Sequence, residues 1–339
     1  MAHRVTLKPS GHSYEVAQDK TVLQAGLDAG YELPYSCREG VCRTCRGTIV
    51  EGRVDYGHVH PRYLSEADKA KGYALLCQAK PLGDVVVEVR ELAGLHGIRP
   101  KILPCRVERL DKPAHDVAIL GLKLPSSEKF RFVAGQYVDF LLKDGKRRSY
   151  SIANMPTDEG VGAIELHIRL TPGGLFTEQV FNKMKVRDLL RFEGPLGTFY
   201  LREESDKPII MLASGTGFAP IKAMCEHMQA KGIARAVTLY WGCRVKADLY
   251  MLDLARSWQR PGFSFVPVLS DEKWDGRMGF VHRAVMEDFP DLSGYQVYAC
   301  GVPIMVDSAR RDFTAHCRLP EDEFYADSFT TQADLASPK

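Results

Sequence analysis

Three of the nine cysteines in this chain lie within one short stretch, and this crowding constrains the fold more than any other feature. The stretch SCREGVCRTC contains Cys37, Cys42 and Cys45, and Cys77 lies far downstream. A disulfide framework, a zinc site, an iron–sulfur cluster or coincidence could each explain such a group. The rest of the sequence has to separate these explanations.

Composition and charge exclude several classes of function. The 339 residues are enough for about two or three domains, and a hydrophobic content of 45% with a net charge of +2 is ordinary for a globular protein. A charge so near zero gives no reason to expect a nucleic-acid partner, and no apolar run reaches the ~18 residues of a membrane span. The N-terminal stretch alternates like a strand and lacks the apolar core of a signal peptide. We therefore expect a cytoplasmic protein with no membrane partner, where disulfides are rare.

The cysteine spacing favours an iron–sulfur cluster. Cys37-x4-Cys42-x2-Cys45 with a distant Cys77 is the plant-type [2Fe–2S] spacing, in which four thiolates hold two irons. Gly40 would let the backbone approach the cluster, so that amide N–H groups can stabilise its negative charge. Zinc stays open as the alternative, because four cysteines also bind zinc, although zinc ribbons usually pair two C-x2-C knuckles.

The pattern of predicted strands and helices changes twice along the sequence, which predicts three domains. Residues 1–95 combine short strands, a helix that opens at Thr21 and the cysteine loop, and residues 96–102 look like a linker with Gly and Pro. Residues 103–203 read as successive short strands with one helix, which is typical of a small antiparallel barrel. In residues 204–339 strands alternate with helices, which predicts a parallel α/β sheet with ligands at the carboxyl ends of its strands.

The first segment resembles plant-type ferredoxins over about residues 3–93, and the resemblance implies a β-grasp fold that holds a [2Fe–2S] cluster. The cluster loop departs from the family, since Val41, Arg43 and Arg46 stand where small residues are common. Cations close to the cluster would favour its reduced, more negative state and raise its potential. The alternative is that all three side chains point into water.

The second segment contains RRSYS, and its pattern Arg148-x-Tyr150-Ser151 resembles the flavin motif of the ferredoxin–NADP reductase superfamily. The resemblance implies a six-stranded antiparallel barrel that binds FAD. The Arg148 guanidinium suits a pyrophosphate and the flat Tyr150 ring can cover the flavin. The Ser151 hydroxyl can hydrogen-bond near the reactive nitrogen of the flavin. Ser149, which lies between Arg148 and Tyr150, is also predicted to contact the FAD.

A helix start downstream strengthens this interpretation and favours FAD over FMN. The string GGLFT opens the one predicted helix of the segment. The N-terminus of this helix is therefore a predicted phosphate-binding site, formed by Gly173, Gly174 and Thr177. The preceding strand LHIRL resembles the family segment beside the adenine, which implies that His167 and Arg169 contact the cofactor. Taken alone, R-x-Y-S is a weak signal, and an exposed basic hairpin with a core tyrosine is the alternative.

The third segment opens with LASGTGFAP, in which a strand runs into a helix through Gly215, Thr216 and Gly217. These glycines let the backbone approach a pyrophosphate that the helix dipole favours, although such turns are often glycine-rich for steric reasons alone. Further on, CGVPIM resembles the nicotinamide motif of the same superfamily, which implies that Cys300 and Gly301 contact the nicotinamide beside the flavin. A cysteine that merely packs in the core is the alternative. The candidate catalytic residues are Tyr150, Ser151 and Cys300.

Two further features concern the nicotinamide cofactor. The strand TLYWG leads into Arg244, and one arginine is thin support for binding a 2′-phosphate, so the sequence favours NADH, with NADPH as the alternative. By resemblance, Phe329 in FYADSF would cover the flavin where the nicotinamide enters, and plain core packing is the other interpretation.

Together the motifs predict an electron path. A hydride donor delivers two electrons at once whereas a [2Fe–2S] cluster accepts one, and FAD can connect the two. The whole chain resembles bacterial reductase components with an N-terminal ferredoxin domain, among them the dehydrase reductases of deoxysugar synthesis and the reductases of aromatic-ring dioxygenases and of phenol or methane monooxygenases. The resemblance implies an NAD(P)H-dependent oxidoreductase that passes electrons from NADH through FAD and the cluster to a separate acceptor protein, either a dehydrase or an oxygenase component. A free-standing flavin reductase and a redox sensor are the remaining alternatives.

Overall fold

The computed structural model describes residues 2–95, 97–142 and 144–329. The chain divides into two compact units, Met1–His96 together with Ala326–Lys339, and Gly97–Tyr325. The first unit contains the cysteine loop, and the second contains the flavin and nucleotide motifs. Among the described residues, no helix is both long enough and apolar enough to cross a membrane.

The N-terminal unit has the predicted β-grasp character, with a mixed five-stranded sheet and one main helix. Its elements are β1 (His3–Lys8), β2 (Ser13–Val16), α1 (Val22–Asp28), β3 (Arg46–Glu51), β4 (Val54–Asp55), α2 (Glu66–Ala70), β5 (Tyr73–Leu75), β6 (Lys80–Pro81) and β7 (Val85–Glu88). The sheet order is β2-β1-β7-β3-β5, and only the β1–β7 pairing is parallel. The Thr21 side chain caps α1 as the sequence predicts, because its hydroxyl accepts from the Gln24 N–H. The cysteine loop connects α1 to β3.

Residues near the C-terminus belong to this first unit and hold the cysteine loop at both ends. The Ser36 hydroxyl donates to the Asp327 carboxylate. The Thr44 hydroxyl donates to the Ala326 carbonyl over 3.1 Å. Since Ser36 directly precedes Cys37 and Thr44 directly precedes Cys45 in the chain, these bonds restrain the backbone beside two predicted ligands.

The second unit begins with a closed antiparallel sheet of six strands, as predicted. Its elements are β8 (Lys101–Ala114), β9 (Val117–Lys123), β10 (Tyr137–Leu141), β11 (Arg147–Ser151), β12 (Ala163–Arg169), α3 (Leu175–Asn182) and β13 (Leu189–Leu196). The strand order is β11-β10-β13-β8-β9-β12. The two edges then meet, since Ile152 bridges Leu166 and the Ala153 N–H donates to the Glu165 carbonyl over 2.7 Å. The sheet is therefore a barrel, which removes exposed strand edges.

The rest of the second unit is a parallel α/β sheet. Its elements are β14 (Ile209–Ser214), α4 (Phe218–Lys231), β15 (Val237–Cys243), α5 (Leu252–Ser257), β16 (Phe263–Leu269), β17 (Arg277–Met278), α6 (Val281–Asp288), β18 (Gln296–Gly301), α7 (Pro303–His316) and β19 (Phe324–Ser328). The last strand, β19, is divided between the two units, because residues from Ala326 onward belong to the first. The sheet order is β17-β16-β15-β14-β18-β19, and β14 runs parallel to both of its neighbours. Strands β15 to β17 are added on one side of β14, and β18 and β19 on the other side. The order of strands therefore reverses at β14, and ligands bind at the carboxyl ends of the strands at such a switch point.

Candidate functional site

The fold brings the four predicted cluster ligands into contact, although Cys77 is remote in sequence. Because Cys45 directly precedes β3 and Cys77 follows β5, the pairing of these two strands places both sulfurs at one end of the sheet. Cys37 lies within hydrogen-bonding reach of Cys42, and Cys45 within reach of Cys77. Cys42, Cys45 and Cys77 are buried, whereas Cys37 is partly exposed.

The loop backbone directs amide groups at these sulfurs. The Glu39 N–H donates to Cys37 Sγ over 3.3 Å, and the Thr44 N–H is directed at Cys42 Sγ. Gly40 has a φ of +76°, which a residue with a side chain would adopt only under strain. Backbone amides stabilise sulfur that carries negative charge, so the loop suits ligands held as thiolates.

Crowding of the thiols shows that the site suits a cation. A hydrogen bond from Cys37 lowers the pKa of Cys42, and the same hydrogen bond, together with burial, raises the pKa of Cys37. A hydrogen bond with Cys77, and then burial, likewise raise the pKa of Cys45. Sulfurs this close cannot all be anionic without a compensating positive charge. The donor set therefore fits a metal centre, and either the two irons of a cluster or one zinc would hold all four ligands as thiolates.

The bulky residues of the loop do not all point into water, so that alternative is wrong. Val41 is buried, and the Arg46 guanidinium lies 4.4 Å from the centre of the Tyr73 ring. The Arg43 side chain is only 21% exposed and approaches the Asp68 carboxylate at 4.0 Å. Arg43 also has a φ of +62°, in the left-handed region, which explains why glycine suits this position. Its effect on the cluster potential stays a prediction.

The flavin motif lies on β11, and its side chains alternate between two faces. The Tyr150 ring packs against Phe140 and Phe176, with ring centres 5.9 and 5.5 Å away, and burial raises the pKa of Tyr150. Ser151 is buried on the opposite face. The Ser149 hydroxyl donates to the Asp139 carboxylate over 2.6 Å, so this side chain already has a protein partner.

Arg148 and the start of α3 are the predicted phosphate contacts. Arg148 is half-buried, and its Nη1 donates to the carbonyl of the preceding residue over 2.7 Å. Helix α3 begins directly after Gly174, as predicted, but the Thr177 hydroxyl closes the turn by donating to the Gly174 carbonyl over 3.1 Å. The Gly173 N–H donates to the Glu178 carboxylate over 2.8 Å. An anion at this helix start would have to displace that carboxylate, and the phosphate contacts stay predictions.

The two nucleotide motifs meet at the carboxyl ends of β14 and β18. A Cβ atom on Gly217 would lie 2.1 Å from the Cys300 carbonyl oxygen, and one on Gly301 would lie 2.1 Å from Ser214 Oγ. The Ser214 hydroxyl also accepts from the Val302 N–H over 3.0 Å. Both glycines are therefore required for the close packing of the two loops, whatever they bind. Cys300 is fully buried at this junction.

The turn between β14 and α4 is held from the side by aromatic rings. It consists of Gly215, Thr216 and Gly217 in a 3₁₀ turn, with Gly215 at a φ of +52°. The Trp241 indole N–H donates to the Gly215 carbonyl over 3.0 Å, and the Trp241 ring stacks on Phe218 with centres 3.9 Å apart. The backbone of this turn is thus fixed before any ligand arrives. We call residues 215–217 the pyrophosphate turn after their predicted ligand, and that contact stays a prediction.

Strand β12 turns polar side chains away from the barrel core. Its inward residues Ile164, Leu166 and Ile168 belong to the apolar core, and its outward residues are Glu165, His167 and Arg169. We call these three the β12 outer face.

The predicted cofactor contacts on this face have protein partners. His167 Nδ1 lies 2.8 Å from the Tyr250 hydroxyl and Nε2 lies 3.0 Å from a Glu165 oxygen. Arg169 Nε donates to Asp116 over 2.8 Å, and Nη1 lies 3.2 Å from where a Cβ on Gly215 would stand. Contacts from His167 and Arg169 to a cofactor stay predictions.

Sequence reasoning missed Glu165, Lys222 and Tyr250, which surround His167. Lys222 is buried among the apolar residues that begin α4. A lysine inside the apolar run GFAPIKAM was the available signal, because lysine is rarely buried without a partner. Nothing in the local sequence marks Tyr250, whose role depends on a contact far away in the chain.

Two predictions concern residues at the edges of the site. Phe329 lies just beyond β19, half-buried and in the first unit, and its place over the flavin stays a prediction. Arg244 lies 3.9 Å from the Asp248 carboxylate, so the cation nearest the end of β15 faces an acidic partner. The choice between NADH and NADPH also stays a prediction.

Comparison with protein families matches three successive parts of the chain. Residues 5–82 match a 2Fe-2S iron-sulfur cluster binding domain, residues 104–200 an oxidoreductase FAD-binding domain, and residues 211–311 an oxidoreductase NAD-binding domain. These matches confirm a [2Fe–2S] cluster, FAD and a nicotinamide nucleotide as the cofactors, and they favour the iron–sulfur hypothesis over zinc. The predicted domain bounds, with a linker at 96–102, stay predictions.

Relatives that this chain matches over nearly their whole length include proteins named as reductases. The CDP-6-deoxy-L-threo-D-glycero-4-hexulose-3-dehydrase reductase of Yersinia pseudotuberculosis is 42% identical over 97% of this chain and 99% of its own. The reductase component of phenol 2-monooxygenase from a Pseudomonas species is 35% identical over 99% of this chain and 97% of its own. The crystal structure of an Amycolatopsis cytochrome P450 reductase superposes with a TM-score of 0.77 at 34% identity, covering 97% of this chain and 99% of that one. The likeness to dehydrase and oxygenase reductases is confirmed.

Proposed function

Because the chain belongs to the family of flavin- and iron–sulfur-containing reductases with an N-terminal 2Fe–2S domain, we propose that it hands electrons to a separate acceptor protein. It is an NAD(P)H-dependent oxidoreductase in which electrons pass from the nicotinamide to FAD and then to the cluster. The observation that carries the proposal is the partial exposure of Cys37 beside three buried ligands. We expect a docked acceptor protein to receive electrons from the cluster at this partly exposed cysteine.

The residues of the chain hold and orient the reacting groups. Bound FAD accepts two electrons together and releases them singly, as a one-electron cluster requires. Cys300 and Gly301 form the loop that would hold the nicotinamide, and Gly217 lets this loop pack against the pyrophosphate turn. Ser151 offers its hydroxyl at the end of the flavin strand, and Arg148 supplies positive charge for the phosphates. The proposed catalytic contribution is positioning, which brings donor and acceptor rings together.

The proposed acceptor is a sugar dehydrase of the kind named for the Yersinia relative, which is 42% identical to this chain. An oxygenase component is the second candidate, favoured by the full-length likeness to a phenol monooxygenase reductase. Reconstitution with NADH and each purified acceptor separates the two. We expect turnover of the dehydrase substrate to depend on this protein. If this protein supports turnover by the oxygenase component but not by the dehydrase, the second candidate is the acceptor.

The order of electron transfer is tested by Cys42→Ser. This change removes one cluster ligand, so NADH-dependent reduction of cytochrome c, which takes electrons from the cluster, should fall by at least about tenfold. Reduction of ferricyanide, which takes electrons directly from the flavin, should persist. The matched control is Cys105→Ser, a buried barrel cysteine remote in sequence from the ligands. Equal loss of the two activities in Cys42→Ser would contradict the order.

NADH is the proposed donor and the cytoplasm the proposed compartment. The Asp248 carboxylate beside Arg244 would repel a 2′-phosphate, so we expect a lower KM for NADH than for NADPH. A reducing compartment keeps the ligand cysteines as thiols until iron is inserted.

A further inference from the structure

We propose that Glu165 and His167 on the β12 outer face are positioning residues for hydride transfer, which they serve by fixing the nucleotide-binding elements against the flavin strand. Each is tied to a different part of the α/β sheet domain, Glu165 to Lys222 in α4 and His167 to Tyr250 after β15. The inference rests on the proposed function, because it takes Ser151 to lie at the reactive edge of the flavin.

The first tie is a buried ion pair. Lys222 Nζ lies 3.2 Å from a Glu165 oxygen and 2.9 Å from Glu226, and it donates to the Ala153 carbonyl over 3.1 Å. The Lys222 side chain is 8% exposed and that of Glu165 is 17% exposed. Lys222 sits one turn into the helix that begins at the pyrophosphate turn. The ion pair therefore fixes the start of this helix relative to the barrel.

The second tie is a hydrogen-bonded chain in which a neutral His167 links the Tyr250 hydroxyl to the Glu165 carboxylate. Although burial raises it, the pKa of Glu165 is lowered to about 2 by the hydrogen bond from His167 and the charge of Lys222, so its carboxylate accepts. His167 Nε2 must then carry the proton that is donated to Glu165. Burial lowers the pKa of His167, so its other nitrogen, Nδ1, is an acceptor for the Tyr250 hydroxyl. Burial raises the pKa of Tyr250, which keeps that hydroxyl protonated.

Strand register links both ties to the flavin motif. The antiparallel bridge between Ile152 and Leu166 puts Ser151 beside His167 on the outward side of the barrel. Both side chains are buried there. A movement of β12 relative to α4 would thus shift Ser151 relative to the nicotinamide loop, and a misplacement of about 1 Å can cost about a hundredfold in rate.

A second ion pair between the same helix and the barrel provides a matched control. Lys231, at the far end of α4, lies 2.7 Å from the Asp158 carboxylate. That pair is exposed, with 43% of the Lys231 side chain and 84% of the Asp158 side chain accessible. Exposed pairs contribute little, and this one lies at the end of the helix away from the pyrophosphate turn. Lys231→Met should leave hydride transfer unchanged.

The test measures NADH-dependent ferricyanide reduction, which bypasses the cluster. In Lys222→Met we expect kcat to fall by about tenfold or more while KM for NADH stays within about twofold, because orientation is lost and binding is not. With NADH deuterated at the transferred position, the primary isotope effect on kcat should rise above that of the wild type. Lys231→Met should match the wild type in all three quantities.

Two further variants separate positioning from folding. Lys222→Met alone removes a buried cation from Glu165 and Glu226, which can destabilise the protein although Arg109 still pairs with Glu165. Glu165→Gln with Lys222→Met replaces the Lys222–Glu165 ion pair by neutral groups. Tyr250→Phe removes one hydroxyl and leaves the ring packing intact. We expect normal FAD content with a raised isotope effect in both.

The outcomes are distinct. If Lys222→Met does not retain FAD, the inference is tested on the Glu165→Gln, Lys222→Met double variant and on Tyr250→Phe. A wild-type isotope effect and kcat in these two variants would overturn the inference while leaving the proposed function intact. A wild-type protein that does not reduce ferricyanide with NADH would instead contradict the proposed function.

Discussion

Arg43 combines two unusual properties in the cluster loop, a left-handed backbone and a confined charge. Its φ is +62°, and its Nε is buried without a hydrogen-bond partner among the described atoms. A left-handed conformation costs a residue with a side chain roughly 1–2 kcal/mol, and a buried unpaired donor adds to this. Arg43 therefore lowers local stability while it places a positive charge next to Cys42 in the chain, and we predict that this charge tunes the cluster.

Arg43→Gly tests this interpretation. We expect the cluster midpoint potential to fall by roughly tens of millivolts, because a positive charge that favours the reduced state is removed and Asp68 loses its neutralising partner. Stability of the first unit should stay equal or rise by up to about 1 kcal/mol, because the backbone strain disappears. Potentiometry and thermal unfolding measure the two effects.

Arg43→Asn is the matched control for the backbone, because asparagine tolerates left-handed conformations but carries no charge. It should lower the potential by as much as Arg43→Gly does. A potential that stays at the wild-type value in both variants would show that Arg43 does not tune the cluster.

The junction of the β14 and β18 loops shows how packing between elements limits the nucleotide site. In Gly217→Ala the new Cβ would lie 2.1 Å from the Cys300 carbonyl oxygen, and this is backbone that cannot turn aside. Overpacking of this kind costs about 1–3 kcal/mol. We expect kcat/KM with NADH to fall by about tenfold or more, since the loops that would hold the nicotinamide must separate.

Gly294→Ala is the control for Gly217→Ala, because its Cβ would meet nothing within 4 Å. It should keep wild-type activity and unfolding temperature. Chemical reduction of the cluster by dithionite should be normal in both variants, since the change lies outside the first unit. Full NADH activity in Gly217→Ala would contradict the required close packing.

Sequence patterns predicted the elements of this chain better than the contacts between them. Cysteine spacing grouped the remote Cys77 with Cys37, Cys42 and Cys45, and LHIRL was correctly predicted to lie in a strand. The outer face of that strand was not predictable, because the polar residues on it are explained by Lys222 and Tyr250, which lie far away in the chain. Such contacts depend on tertiary packing, which local periodicity does not report.

Helix α3 illustrates the same limit at closer range. The string GGLFT correctly predicted where this helix begins, and the glycine at its start suggested a place for phosphate. The structure instead uses Thr177 to close the turn and Glu178 to accept from the Gly173 N–H. Side chains of the helix itself competed for the amide groups, and the sequence could not show which partner occupies them.

The division into two compact units suggests that the flavin and nucleotide chemistry is separable from the cluster. The unit Gly97–Tyr325 contains the whole barrel and all but the end of the parallel sheet, and a compact unit with its own core can fold alone. A chain lacking residues 1–96 should therefore bind FAD at a stoichiometry within about twofold of that of the full chain.

This truncated chain should also separate the two electron acceptors. Ferricyanide reduction with NADH should stay within about threefold of the full-length rate, because hydride transfer to FAD needs only the second unit. Cytochrome c reduction should fall by about tenfold or more, because the one-electron exit through the four thiolates is gone. The full-length chain, which keeps residues 1–96, is the control for both activities. Cytochrome c reduction at the full-length rate without those residues would mean that electrons leave directly from the flavin.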